Sequence, residues 1–295
     1  MKASRKATVS VALLLAALFA ASVFLQHKVE SIRGKEATLE EVLYLPSSRM
    51  LKRMSLGYSA LLADIYWTRA VQYFGSKHIQ RSTQYDLLAP LLEIATDLDP
   101  HLIPAYQDGS LFLSQAAPWG AGQPDKAAAL LEKGIRNNPE YWRMYFTLGF
   151  VHYLDRKDYK AAQQAFEKGS EVPGALPWMK TMAARMAEHA ADINTAIVLW
   201  RGVYDMTKDE NVRQTALSHI ASLTADAQMM ELERIIEAYQ RQTGRVPSNW
   251  TELVQAGMLR GAPLDPTGTP YKLNYGAVQV ADPKKFPFLG DGRGR

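Results

Sequence analysis

Histidine and the carboxylates are the side chains from which this chain would have to build chemistry. It has no cysteine in 295 residues. Disulfides, iron–sulfur clusters, thiolate zinc sites and cysteine nucleophiles are therefore excluded. The six histidines (His27, His78, His101, His152, His189 and His219) are dispersed, with no metal-ligand spacing such as H-x-x-x-H. There is no G-x-S-x-G elbow, Walker loop or dinucleotide fingerprint. Gly120-Ala121-Gly122 follows Pro118-Trp119 rather than a strand, which argues against a phosphate cradle. Glu231 and Glu233 fall on neighbouring faces of a helix and read as solvated surface. Asp265, Asp282 and Asp291 each precede Pro or Gly, where Asp favours turns on its own. Calcium takes six to eight oxygens, so these three acids are a thin supply. No catalytic set, metal or cofactor is expected, and the chain reads as a binding protein rather than an enzyme.

The bulk numbers agree with a folded chain. The hydrophobic fraction is 47% and the charged fraction 22%, too apolar for disorder. Net charge is +4, from 34 basic and 30 acidic residues, and part of it sits in the first six residues. No nucleic-acid partner is indicated. What remains is surface, and the elements that would present it.

Lys2, Arg5 and Lys6 precede an apolar run, Ala7 to Leu25. At about 1.5 Å per residue it spans roughly 28 Å, close to the thickness of a bilayer core. An uncleaved inner-membrane anchor at residues 1–28 is expected. The alternatives are a cleaved signal peptide, with Ala20-Ala21-Ser22 as a weak site, and a buried soluble helix. The basic residues before the run carry no acids among them, whereas those after it are diluted by Glu30, Glu36, Glu40 and Glu41. The positive-inside tendency places the N-terminus in the cytoplasm and the bulk of the chain outside, in the periplasm of a bacterium. Residues 29–54 read as a linker.

From about Ser55 to Thr243 apolar residues recur at three and four, the helical period. Self-comparison gives a longer one. Ala127, Leu131 and Gly134 return 35 residues later as Ala162, Phe166 and Gly169, and Pro139 returns 34 later as Pro173. Ala196, Trp200 and Val203 continue the series, and Leu88, Leu92, Ala95 and Pro100 begin it. A helix precedes each copy, the clearest carrying Tyr145, Leu148 and Gly149. Small residues let paired helices approach, the bulky residue four later fills the gap, and proline ends the second helix. This pattern resembles the tetratricopeptide repeat family, over about Asp64 to Asp209. The resemblance implies about four helix pairs stacked as a solenoid, against the alternative of an irregular helical bundle. Two departures stand out: the insert Gln115–Asp125, and a fourth unit with no closing proline.

In that family the first helix of each pair lines the concave face. The resemblance therefore assigns Tyr106, Ser110, Arg143, Phe146, Phe150, Tyr153, Trp178, Arg185 and His189 to a partner-binding surface. Rings interleaved with arginine suit a peptide or a partner's helix. The competing reading makes half of the rings core. Some family members hold a terminal carboxylate with a Lys/Asn set, but the asparagines are not in those places here. The aromatic segment from Arg49 to Gly75 is expected to cap the array, the alternative being a seat near the membrane surface.

After residues 211–243, one or two closing helices, Gly, Pro, Asp and Tyr replace Ala and Leu. A helix ending at Gly244, a short helix capped by Ser248 and stopped by Gly257, a turn at Asp265–Gly268 and a hairpin about Gly276 are expected. Gly244, Pro247, Leu253, Asp265, Pro266, Gly268, Pro270 and Tyr271 give residues 244–295 a likeness to the globular end of type II secretion major pseudopilins. Leu289–Arg295 resembles a calcium-binding loop of those proteins. An anchor followed by repeats is not a pilin subunit, so the likeness implies a partner in a secretion or pilus-like assembly. The fold class expected is an all-α solenoid over residues 55–210, with an N-terminal transmembrane helix and a small C-terminal α+β module. The function expected is a membrane-tethered scaffold for a protein partner. The alternative is a general peptide-binding chaperone of the envelope.

Overall fold

Pro104 and Pro124 sit in the first turn of two helices, where the missing N–H costs nothing. Asp158, Asp192 and Asp209 cap three more by accepting hydrogen bonds from backbone amides. Such signals set the helix boundaries in the computed structural model, which describes residue 15, residues 18–25, residue 28 and residues 47–291. The chain divides into two compact units, residues 1–59 and 60–295.

In the first unit, residue 15, residues 18–25 and residue 28 are helical. Most of the apolar run from Ala7 to Leu25 lies outside the described residues. Among the described residues, no helix is long and apolar enough to cross a membrane. Helix α1, Ser48–Met54, is capped by Ser47 and buries none of its residues.

The second unit is mostly helical. Its helices are α2 (Ser59–Ile79), α3 (Leu88–Leu98), α4 (Ile103–Ser114), α5 (Pro124–Asn137), α6 (Trp142–Phe150), α7 (Tyr159–Ser170), α8 (Trp178–His189), α9 (Ile193–Met206), α10 (Glu210–Thr243) and α11 (Trp250–Gln255). Helix α6 runs on through a π-helical turn, Val151–Arg156. From α3 to α10 each helix packs on the next, and alternate helices also touch, α3 with α5 and α4 with α6. This is the contact pattern of helix pairs laid in series.

Glycine sets the closest approaches. A Cβ on Gly134 would stand 2.8 Å from the Tyr106 ring and 2.7 Å from Met144 Sδ. Thirty-five residues on, a Cβ on Gly169 would stand 2.6 Å from Tyr145 and 2.5 Å from the Met179 methyl. Met144 and Met179 are themselves 35 apart, so one three-helix contact occurs twice at the shift read from the sequence. Gly109 and Gly149 admit Leu92 and Phe166 in the same way. Phe166 and Trp200, the bulky residues of two successive copies, are fully buried.

The insert folds back on α4 through hydrogen bonds from Ala121, Gly122 and Gln123 amides to carbonyls of residues 112–115. Helix α2 packs its aromatic rings against the same place: Phe74 stacks on Phe112 at 4.1 Å.

One helix of 34 residues, α10, stands where one or two closing helices were expected. Ala216 and Leu223 in its first half join the solenoid core. Met229, Leu232, Ile236 and Tyr239 in its second half join a separate core with Leu253, Tyr271, Val278, Val280 and Phe286. The helix ends at Gly244, φ +73°, a left-handed cap. The cap of α11 is Asn249, which accepts from the Glu252 amide, rather than Ser248. Strands β1 (Lys272–Asn274) and β2 (Ala277–Gln279) pair antiparallel, Leu273 opposite Val278. Tyr275 and Gly276, both at positive φ, make the two-residue turn.

Candidate functional surface

Helix α6 places Trp142, Phe146 and Phe150 four residues apart, on one stripe. The rings meet edge to face: Trp142–Phe146 at 6.2 Å, Phe146–Phe150 at 4.9 Å, Phe146–Trp178 at 5.4 Å and Phe150–Phe166 at 5.2 Å. The ladder descends from Trp178, 41% exposed, to Phe166, fully buried. Phe146 and Phe150 are half-buried, so they serve the core and the surface together. A second group gathers where the π-helical turn and the start of α7 meet the end of α8. Tyr153 stacks on His189 at 6.3 Å, and Tyr159 on His189 at 5.3 Å. Aromatic contacts therefore join α6 and its continuation to α8 at two points, and the remaining ring edges are half in water.

Arg143 lies over the Trp142 ring at 4.8 Å, a cation–π contact that holds the guanidinium at the rim. Arg143 and Arg185 are exposed, and among the described residues neither forms an ion pair. Beside Trp178 opens a cleft of about 470 Å³ floored by Val203, Met206 and Val212, with Lys180 and Thr181 on its wall.

The structure thus brings Arg143, Phe146, Phe150, Tyr153, Trp178 and His189 onto one stretch of surface, and leaves Arg185 exposed on α8 between Trp178 and His189. Tyr106 and Ser110 are fully buried. The Tyr106 hydroxyl donates to the Thr96 carbonyl and receives Asn137 Nδ2, and burial raises its pKa above 10 despite those bonds. Tyr106 packs against the neighbouring helices and presents nothing. Trp142, Tyr159 and the Met206 cleft were missed in the sequence. Trp142 stands one helical turn before Phe146 and was recoverable from that spacing; Tyr159 meets His189 across 30 residues, and no local signal marks the pairing.

An acid–base pair does lie in the interior. Glu188 Oε1 accepts from Trp200 Nε1 at 2.6 Å and meets His219 Nδ1 at 2.7 Å. The His219 ring is sandwiched between Trp200 at 4.0 Å and Phe288 at 3.5 Å. Both faces of the imidazole are covered and all three partners are buried or half-buried, an arrangement that fixes packing.

The C-terminal acids are occupied by turns. Asp265 Oδ1 receives the Thr267 amide, the Thr267 hydroxyl and the Thr269 amide at 2.7–3.0 Å. Burial pushes the Asp265 carboxyl up, but these donors and the Lys285 charge outweigh it and leave its pKa below the ordinary value. Asp282 caps the 3-10 turn Pro283–Lys285. Among the described residues no three His, Asp or Glu side chains come together as a metal requires.

No family model matches the chain, and no curated protein matches it.

Proposed function

We propose that this chain is a membrane-tethered, extracytoplasmic scaffold whose helix pairs, tetratricopeptide-like in their period, hold a protein partner on the α6–α8 face. The observation that carries the reading is the ring ladder Trp142–Phe146–Trp178 with exposed Arg143 and Arg185 at its rim. Trp, Tyr and Arg are the side chains that anchor interfaces most efficiently. The tether rests on the apolar run Ala7–Leu25. Leu15, Leu18, Phe19, Val23, Phe24 and Leu25 are all exposed, as contact with lipid would leave them. The basic flank supports a cytoplasmic N-terminus and a periplasmic bulk. The pseudopilin-like order of residues 244–295 supports a partner in a secretion or pilus-like assembly.

The test is crosslinked affinity capture from membranes, comparing the native chain with Arg143→Glu/Arg185→Glu. Both residues are exposed, so the fold should survive. Partner recovery is expected to fall at least about tenfold, the loss of one hot-spot anchor. Unchanged recovery moves the binding surface elsewhere. Recovery of a partner unrelated to secretion or pili rejects that assignment and leaves the scaffold. A second reading, a general peptide-binding chaperone, draws on the Met206 cleft, because a flexible thioether adapts to varied guests. It predicts many clients in the same capture where the scaffold predicts one.

A further inference from the structure

Residues 47–58 combine three features. The first is exposed apolar surface. Helix α1 buries none of its residues, and Met50, Met54, Leu56 and Tyr58 are 55%, 64%, 87% and 70% exposed. The second is unopposed positive charge. Arg49, Lys52 and Arg53 are exposed, no Asp or Glu occurs between Glu41 and Asp64, and among the described residues none of the three forms an ion pair. The third is order. Positions 49, 52 and 53 follow the i, i+3, i+4 rule and share one face of the helix, while Met50, Leu51 and Met54 occupy the other.

The turn after the helix extends the apolar side. The Ser55 hydroxyl donates to the Lys52 carbonyl, and the Tyr58 amide to the Ser55 carbonyl. Leu56 at φ +49° and Gly57 at φ +96° are both left-handed. That conformation is uncommon for leucine, and here it leaves the side chain almost wholly in solvent. An acidic protein surface would satisfy the cations alone. A layer of anionic headgroups above acyl chains satisfies the cations and the four apolar side chains together.

We propose that residues 47–58 form a foot that lies in the headgroup layer of a membrane containing anionic lipid, a second attachment besides the apolar run. The inference rests on the tether reading, which brings the segment to a bilayer. Cations on one face meet the phosphates, and Met50, Met54, Leu56 and Tyr58 enter the boundary with the acyl chains.

The chain has no cysteine, so a single introduced thiol can be labelled cleanly. The full chain carrying Met54→Cys, labelled with an environment-sensitive fluorophore, is reconstituted in nanodiscs of phosphatidylcholine alone or with phosphatidylglycerol. Tyr275→Cys, in the exposed turn of the β-hairpin, is the reference. The expected result is a blue shift at position 54 only with phosphatidylglycerol, none at position 275, and loss of the shift in Lys52→Glu/Arg53→Glu. The shift is also expected to vanish in 1 M salt, where the screening length is about 3 Å. If the chain co-purifies with nanodiscs but position 54 stays as water-exposed as 275, or shifts equally in both lipids, the foot is overturned and the tether stands. If the chain joins neither kind of nanodisc, tether and foot fall together.

Discussion

The surroundings of His152 favour its uncharged form. It is buried at the start of the π-helical turn, and its Nδ1 lies 2.9 Å from Arg156 Nη1. A guanidinium can only donate, so Nδ1 accepts and the neutral ring carries its proton on Nε2. Burial lowers the pKa of His152 below 6.5, and the Arg156 charge lowers it further, against smaller opposite effects of Asp158 and Glu132. The unfolded chain therefore binds the proton more readily than the folded one. The stability that His152 contributes is complete above pH 6.5 and is lost as pH falls through 6.5 toward the lower folded value. Thermal melts of the native chain and His152→Gln should converge as pH is taken from about 7.5 to 5.5; parallel curves would show that the ring is not the titrating group. At this scale the sequence indicated helical faces but not depth. Tyr106 and Phe146 both fall on a first-helix face, yet Tyr106 is sealed by Thr96 and Asn137, which approach from other helices.

Helix α10 is the element on which both cores depend, and its length was not legible. A run from Asn211 to Thr243 with no Pro or Gly permits one helix or two. The single helix is decided by contacts across some sixty residues: Phe288 N donates to Ser222 Oγ, and Gly290 N to Asp226 Oδ2. Phe288 also covers the outer face of His219, whose other face lies on Trp200 of the solenoid. The C-terminal segment is thereby clasped to the last repeat through one ring. Phe288→Ala should cost about 1–3 kcal/mol, the lost burial of a half-exposed ring plus its stacking. Trypsin should then reach Lys284 and Lys285 faster, and the near-ultraviolet signal of Trp200 should weaken. Unchanged cleavage and signal would mean that the hydrogen bonds at Ser222 and Asp226 hold the segment alone.

At the scale of the molecule, the helical class and the register of the pairs were legible because both depend on residues close in sequence. Gly134 and Gly169 meet their methionines at the interval that the sequence displays. The ring ladder was legible in part, since α6 spacing is local and its junction with α8 is not. The same locality governs how the chain should come apart. In a stack of helix pairs each pair is stabilised chiefly by its neighbours, so opening need not be all-or-none. Among the described residues, the solenoid core around Phe166 and Trp200 and the C-terminal core around Leu253 and Tyr271 share α10 alone. Gly169→Ala forces a methyl against Tyr145 and Met179 and should cost about 1–3 kcal/mol. Hydrogen exchange should then accelerate up to about a hundredfold in α6, α7 and α8. Amides of α11 and the β-hairpin should keep their native rates, and those of α1, which buries nothing, should exchange fastest in both chains. An equal acceleration in the two cores would mean that α10 couples them into one cooperative unit, and that nearest-neighbour stacking does not set the stability of this array.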